Sequence, residues 1–328
     1  MNILRLIRYK NLLFVALIQV LIYTALILPT LHMYGLTLSL PVGAAVLMIL
    51  ATTLIAAGGY VINDYFDIKI DRINRPERLI VGQSMGKRTV MLLYQIVTAT
   101  GIVAGIIVAA WLHSFTLAFV FVVTPGMLWF YSASYKRQLI IGNLIVALAA
   151  ALVPIMPLLA MHNLLTTEYG DLIYRTPVLH HLYLWVGGFA VFAFAWTLIR
   201  EIIKDLQDLI GDREMECHTM PVVWGEHITK IIVIALVFVV VSALLWIASY
   251  THIGSNHTAM LRYAIWGNAL PSICLVVVLL SRMSHAYLHA GNLAKFIMLI
   301  GTLFCIVYYY LLAQQYGLDF FGIFTIKQ

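Results

Sequence analysis

Apolar runs of about 20 residues, the length that crosses the hydrocarbon core of a bilayer, recur along most of this 328-residue chain. Hydrophobic residues make up 62% of it and charged residues 10%, against roughly 45–50% and 25% in soluble domains. That balance excludes a soluble globule, a disordered chain, a collagenous repeat and a disulfide scaffold. Nine spans are predicted, over residues 11–31, 41–62, 89–111, 114–133, 139–160, 182–203, 230–250, 263–281 and 294–314. The basic N-terminal residues lead into the first run with no small-residue cleavage site, so that run is expected to span the membrane rather than to be removed. The expected class is an all-α membrane protein, a single integral-membrane domain over residues 1–328.

An odd number of spans puts the termini on opposite sides. With the N-terminus in the cytoplasm, 17 of the 20 Lys and Arg residues fall inside, leaving Arg175, Arg262 and Lys327 outside. Such an asymmetry sets orientation, so the net charge of +6 reflects topology and not a nucleic-acid partner. A multi-pass protein of the cell membrane is expected, its N-terminus cytoplasmic and its C-terminus on the opposite side, with the bilayer as surroundings and no obligatory protein partner evident. Cys217, Cys274 and Cys305 show neither paired nor metal-ligand spacing. His285 and His289, at i and i+4, lack a third ligand or flanking Glu and are expected on a surface. Gly101/Gly105 and Ala147/Ala151 suit close helix packing. Pro125, Pro154, Pro157 and Pro271 fall inside spans, where they bend a helix either to open space or for packing alone.

The carboxylates are not scattered. Of 14 Asp and Glu residues, 11 lie in two windows, one containing Asp64, Asp67, Asp71 and Glu77, the other running from Glu201 to Glu226. Both windows fall on the side assigned to the cytoplasm, one closing the second span and one closing the sixth, a coarse echo of a duplicated four-helix plan. Asn63, Asp67 and Asp71 are spaced i, i+4, i+8 and share one helical face, with rungs about 6 Å apart. Asp205, Asp208 and Asp212, at i, i+3, i+7, do the same. Like charges at those spacings repel, so a positive group is expected there. Hard divalent cations fit: Mg²⁺ takes oxygen ligands, often a carboxylate or two with waters and phosphate oxygens. Arg72, Arg75, Arg78, Lys136, Arg137, Arg200 and Lys204 are candidates to bind phosphate oxygens directly. A solvated, mutually paired charged face explains one such window as well as metal binding does. It explains two face-aligned windows, each at a membrane boundary, poorly.

Asn63-Asp64-Tyr65-Phe66-Asp67 through Asp71, followed by Arg72 and Asn74-Arg75-Pro76, resembles the first aspartate-rich motif of the UbiA superfamily of intramembrane prenyltransferases. Arg200-Glu201-Ile202-Ile203-Lys204-Asp205, continuing through Asp208 to Gly211-Asp212, resembles the second. Tyr131-Ser132, Lys136-Arg137 and Gly142-Asn143 are similar to the segment after the fourth helix. Within the superfamily the combination most resembles the digeranylgeranylglyceryl phosphate synthase branch. Two departures concern the acceptor: Leu79-Ile80-Val81-Gly82-Gln83-Ser84 replaces Pro-Ile-Pro-Ser-Gly, and His218-Thr219-Met220-Pro221 replaces Lys-Thr-Leu-Pro.

The resemblance implies nine transmembrane helices in a bundle around a central cavity, with the cytoplasmic motif loops forming a cap. It implies Mg²⁺-dependent transfer of a prenyl group, geranylgeranyl in this branch, from a prenyl diphosphate donor to a lipid-soluble acceptor, geranylgeranylglyceryl phosphate. The other enzymatic acceptor is a quinone-precursor ring or a chlorophyll-type molecule. Metal ligands would be Asn63, Asp67, Asp71, Asp205, Asp208 and Asp212; Arg72, Arg75, Lys136 and Lys204 would bind the diphosphate. Catalytic roles would fall to Asp67, Asp71, Asp205, Asp208, Lys136 and Tyr131, the last stabilising an allylic cation through its ring face, with Tyr60, Tyr65, Phe66 and Tyr135 as further aromatic candidates. A CDP-alcohol phosphotransferase would need a single compact motif, whereas these windows stand about 140 residues apart. A transporter or channel would place ionisable groups near the bilayer midplane, whereas these spans are nearly free of charge.

Overall fold

The computed structural model describes residues 2–74, 76–251, 258–283, 285–321 and 324–325; Arg75 and Lys327 lie outside the described residues, as do the side chains of Arg78, Phe324 and Thr325. Among the described residues nine helices are long and apolar enough to cross a bilayer: α1 (Tyr9–Met33), α2 (Val42–Phe66), α3 (Lys87–Trp111), α4 (Phe115–Ala133), α5 (Ile141–Arg175), α6 (Val178–Glu214), α7 (Glu226–Tyr250), α8 (Ala259–Leu280) and α9 (Ala286–Tyr316). Each coincides with one predicted span. Three outrun their prediction by about ten residues or more. α5 continues past residue 160, ending in a 3-10 turn at Gly170–Arg175; α6 runs 37 residues; and α9 begins at Ala286 rather than 294. A hydropathy window stops at the first charges, but a helix stops only where its hydrogen-bond ladder does. At 1.5 Å per residue α6 is about 55 Å long, well beyond a hydrocarbon core of about 30 Å. A two-residue antiparallel pairing of Asp319–Phe320 with Phe324–Thr325 is the one strand element among the described residues.

The bundle is packed through its small residues. Gly101 and Gly105 of α3 are buried; a β-carbon at Gly101 would stand 3.0 Å from Ile55 of α2, and one at Gly105 would stand 2.4 Å from the Phe121 ring of α4. One core runs through all nine helices, and a second joins α6 to α7, α8 and α9. α7, the most apolar helix (mean hydropathy 3.2), is the least buried. Large exposed side chains such as Phe115, Phe238 and Trp266 belong to the lipid-facing surface of such a bundle.

Prolines shape two helices in the same way. A π-helical stretch, Ile22–Ile27, immediately precedes Leu28-Pro29 in α1, and another, Ile265–Ala269, precedes Leu270-Pro271 in α8. A proline ring clashes with the carbonyl one turn back, and the wider π turn makes room for it. In α5, Pro157 has no N–H for the carbonyl of Val153 four residues earlier. That carbonyl accepts instead from Gln19 Nε2 of α1 at 3.5 Å, while the same amide donates to Thr52 Oγ1 of α2 at 2.9 Å. Gln19 is fully buried, so a single amide ties three helices at mid-depth.

Gly105→Ala is expected to lower thermal stability in detergent by about 1–3 kcal/mol, because the added methyl overpacks the Phe121 contact. Gly126→Ala in α4, where no atom lies within 4 Å of the new methyl, is the matched control and should not destabilise. Equal melting temperatures for the two variants would show that close α3–α4 packing does not hold the bundle.

Candidate active site

Antiparallel succession brings the end of α2, the turn after α4, the start of α5 and the end of α6 to one end of the bundle. α2 closes at Phe66; Asp67 (φ −85°, ψ 0°) leaves the helical path, and a short helix, Ile68–Asn74, sets off from it. Single-helix continuity from Asn63 to Asp71 is therefore corrected to two helices meeting at Asp67. The i→i−4 ladder nevertheless persists, from Asp67 N to Asn63 O (3.0 Å) and Asp71 N to Asp67 O (2.8 Å), so the residues keep their face through the change of axis. Asp205, Asp208 and Asp212 lie within unbroken α6.

Each row is held by donors from elsewhere. Asn63 Nδ2 donates to Asp67 Oδ2 at 2.7 Å, and Lys136 Nζ pairs with Asp67 Oδ1. Lys136 stands on the 3-10 turn Tyr135–Arg137, seated on α5 at Gly142, where a β-carbon would come within 2.7 Å of Lys136 Cα. His218 N donates to Arg137 O at 2.8 Å, tying that turn to the segment after α6. Burial pushes the Lys136 ammonium below the ordinary lysine range, helped by Lys204 and Arg137, although Asp67 opposes the shift. On α6, Asp205 accepts from Asn143 Nδ2 at 2.8 Å and Asp212 from Thr219 Oγ1 at 3.1 Å. Glu201 pairs with Arg200 and, at 3.6 Å, with Lys204.

The two motifs are joined by Asn74. Its Nδ2 donates to the carbonyl of Asp208 at 3.2 Å, and its Oδ1 accepts from Gly211 N at 3.0 Å. Such an approach needs a glycine: a β-carbon at Gly211 would stand 2.5 Å from the Asn74 amide. The role of Asn74 was not foreseen from its place before Arg75-Pro76, nor were those of Asn143, Thr219 and Glu201. All four lie inside quoted motif segments, which was the available signal, but a single sequence cannot show which backbone an amide will meet.

Below this polar end a cavity of about 430 Å³ runs into the bundle. Asn63, Tyr131, Arg200 and Lys204 line its mouth, with Arg8, which pairs with Asp64 at 2.7 Å and lies 5.0 Å over the Tyr60 ring. Ile18, Ile55, Phe121, Leu128, Val153 and Met156 line its depth. Among the expected site residues, Asn63, Tyr131 and Lys204 thus share the cavity and Asp67 with Lys136 adjoin it through Asn63. Asp71 and Asp208 are half-buried on their helices, and Arg72 is exposed and outside the cavity lining. Arg75 lies outside the described residues. No three His, Cys, Asp or Glu side chains among the described residues converge closely enough to hold a metal by themselves. The donor set is all oxygen, and Asn63 Oδ1 is a buried acceptor without a partner. Both features fit a hard cation such as Mg²⁺, which keeps several waters and takes few protein ligands.

The family model described as the UbiA prenyltransferase family matches residues 21–261. The digeranylgeranylglyceryl phosphate synthase of Thermococcus sibiricus is 34% identical over 207 residues, 62% of this chain and 65% of that one, so the match spans somewhat less than two thirds of the relative. A UbiA homologue from Aeropyrum pernix K1 superposes with a TM-score of 0.61 at 16% identity, over 90% of this chain and 97% of that one. A UbiA homologue from Archaeoglobus fulgidus bound to GPP and Mg²⁺ gives a TM-score of 0.57 at 15% identity, over 92% and 98%. At such identities the structures establish a shared all-α membrane fold.

Asn74→Ala is expected to cost about 1–3 kcal/mol through the unpaired buried groups it leaves, and Gly211→Ala to have a similar effect by expelling the amide. In both variants trypsin should cut after exposed Arg72 several-fold faster than in the wild type. Unchanged cleavage would show that Asn74 does not hold the first motif helix against α6.

Proposed function

The chain belongs to the UbiA prenyltransferase family, and from that premise we propose that it is a multi-pass membrane enzyme transferring a geranylgeranyl group from its diphosphate to the free hydroxyl of geranylgeranylglyceryl phosphate. The observation that carries this reading is the form of the cavity: one charged end beside both acidic rows, and an apolar depth. A prenyl diphosphate has the same two-part character. The name of the Thermococcus relative supports the acceptor and the chain length, and the Archaeoglobus homologue with GPP and Mg²⁺ supports a metal-dependent donor site.

In this reading Lys204, with Lys136 behind it and Arg72 and Arg75 from the first motif, binds the diphosphate oxygens by charge-assisted hydrogen bonds. Asn63, Asp67, Asp71, Asp205, Asp208 and Asp212 would hold Mg²⁺, which when bound neutralises charge on the diphosphate. The allylic C–O bond breaks with its electron pair departing on diphosphate. The hydroxyl oxygen of the acceptor then bonds to the allylic carbon and passes its proton to an oxygen of the departed diphosphate, giving an ether and protonated diphosphate. Charge separates in a site walled by Ile55, Leu128 and Val153, where water cannot intercept the cation and fixed dipoles act at low dielectric. The Tyr131 ring, which lines the same cavity, would stabilise that cation through its face.

The 17-to-3 division of basic residues supports a cell-membrane orientation with the motif end and the N-terminus cytoplasmic and the C-terminus opposite. The short helix 68–74, the turn 135–137 and the helix Met220–Val223 would then form the cap over the mouth. The whole chain acts as one domain, with no protein partner required.

Detergent-solubilised protein offered a panel of prenyl diphosphates and acceptors should convert geranylgeranylglyceryl phosphate, and only with Mg²⁺, as read by mass spectrometry. Conversion of an aromatic ring instead would overturn the acceptor; transfer to none of them would overturn the enzyme. Asp67→Asn and Asp208→Asn should each lower kcat by about 10²–10³ or more, measured on the folded, monodisperse fraction because loss of the Lys136 pair also destabilises the Asp67 variant. A variant that keeps its activity removes that residue from the site.

A further inference from the structure

A second cavity, of about 360 Å³, lies at the motif end but outside the site above, against the flank of α6 and the first turns of α7 and α9. Gln207, Glu226, Lys230, Arg282, His285 and Tyr287 line it. Its one carboxylate is satisfied internally: Glu226 pairs with Lys230 at 2.8 Å and accepts from the Tyr287 hydroxyl, while the Lys230 ammonium stands 5.1 Å from the Tyr287 ring centre. Arg282 and His285 are exposed on the connection from α8 to α9 and have no carboxylate partner among the described residues. The space therefore holds an excess of donors over acceptors. α7 and α9, of 25 and 31 residues, both begin at it, adding the positive ends of two helix dipoles.

What lies beside the donors narrows the ligand. Met283, 61% exposed, lines the cavity itself, and Ile231, Leu280 and Val277, on the helices that lead to it, are 53%, 60% and 62% exposed on surfaces that face lipid. A basic recess at the rim of the membrane with an apolar skirt suits a molecule whose phosphate sits at the interface and whose tails lie in the bilayer. Basic pockets between transmembrane helices take anionic headgroups in this way. A soluble anion would have no use for the skirt.

We propose that this cavity binds the headgroup phosphate of an anionic membrane lipid, with Arg282 and His285 on the phosphate oxygens and the lipid tails along Ile231, Val277 and Leu280. Gln207 also lines the cavity and stands on α6 between Asp205 and Asp208, so the lipid would contact the acid-bearing end of that helix. The inference does not rest on the prenyl-transfer reading.

The test uses the full-length protein in neutral detergent, titrated separately with phosphatidylglycerol, phosphatidylcholine and inorganic phosphate, with bound lipid read by native mass spectrometry and stability by thermal unfolding. Wild type should retain one phosphatidylglycerol per chain and melt at a higher temperature with it. The Arg282→Gln/His285→Gln variant should retain it at least tenfold less while melting normally in phosphatidylcholine. Arg282→Gln alone, at an exposed position, should show a smaller loss and guards against a folding defect in the double variant. Lys87→Gln/Arg88→Gln, an exposed basic pair elsewhere at the same end, should bind like wild type. Equal retention by wild type and the double variant, an equal loss in the Lys87/Arg88 control, or equal stabilisation by phosphate alone would each overturn the proposal.

Discussion

A carboxylate at the edge of a bilayer must be paired, and the architecture of the motif end follows from that requirement. Asp67 is paired by Lys136 from beyond α4, Asp205 by Asn143 of α5, and Asp212 by Thr219 from beyond α6. Each acid that repels its neighbours along its own helix is thereby a tether to another. Removing Lys136 from its buried pair with Asp67 would leave an uncompensated charge, a loss of several kcal/mol, so the geometry of the acid rows and the packing of the helices are a single problem. Asn74 completes it without charge, meeting the α6 backbone as both donor and acceptor where Gly211 leaves room.

The interior follows the opposite rule. From Asn63 at the mouth to Thr52 along α2, and from Lys204 to Ala193 along α6, the cavity wall descends 11 residues, about 16 Å at 1.5 Å per residue. Its charged lining residues on α6 are confined to the first turn, Arg200, Glu201 and Lys204; below them the α2 and α6 walls are aliphatic and aromatic apart from scattered hydroxyls. One of these, Thr197, is buried with its hydroxyl unpartnered, whereas most threonines in these helices donate to the carbonyl one turn back. A polar head and an apolar tail are thus sorted by position alone.

Much of this was legible in the sequence. The nine helices were, because a run of 20 apolar residues has few alternatives, and so was the concentration of acids at one end. Helix ends were not: α5, α6 and α9 continue into the interface, where hydropathy falls but the backbone ladder does not. The shared face of Asn63, Asp67 and Asp71 was legible from spacing and survives a break at Asp67 that spacing cannot reveal. Pairings such as Asn143 with Asp205 were not legible, because they depend on which helices become neighbours. The tie from Gln19 to Val153 is of the same kind: Pro157 announces an orphaned carbonyl, but nothing in the chain says which distant amide will answer it.

That tie also sets where the wall can yield. Toward its two ends α5 is tied by Asn143 to Asp205 at 2.8 Å and by Asn163 to the carbonyl of Leu112; at Val153 the repair is one amide contact at 3.5 Å to a residue on α1. The longest of these ties falls part-way down the chamber wall, so widening the space between α1 and α5 costs least hydrogen-bond energy at that waist and more toward either rim.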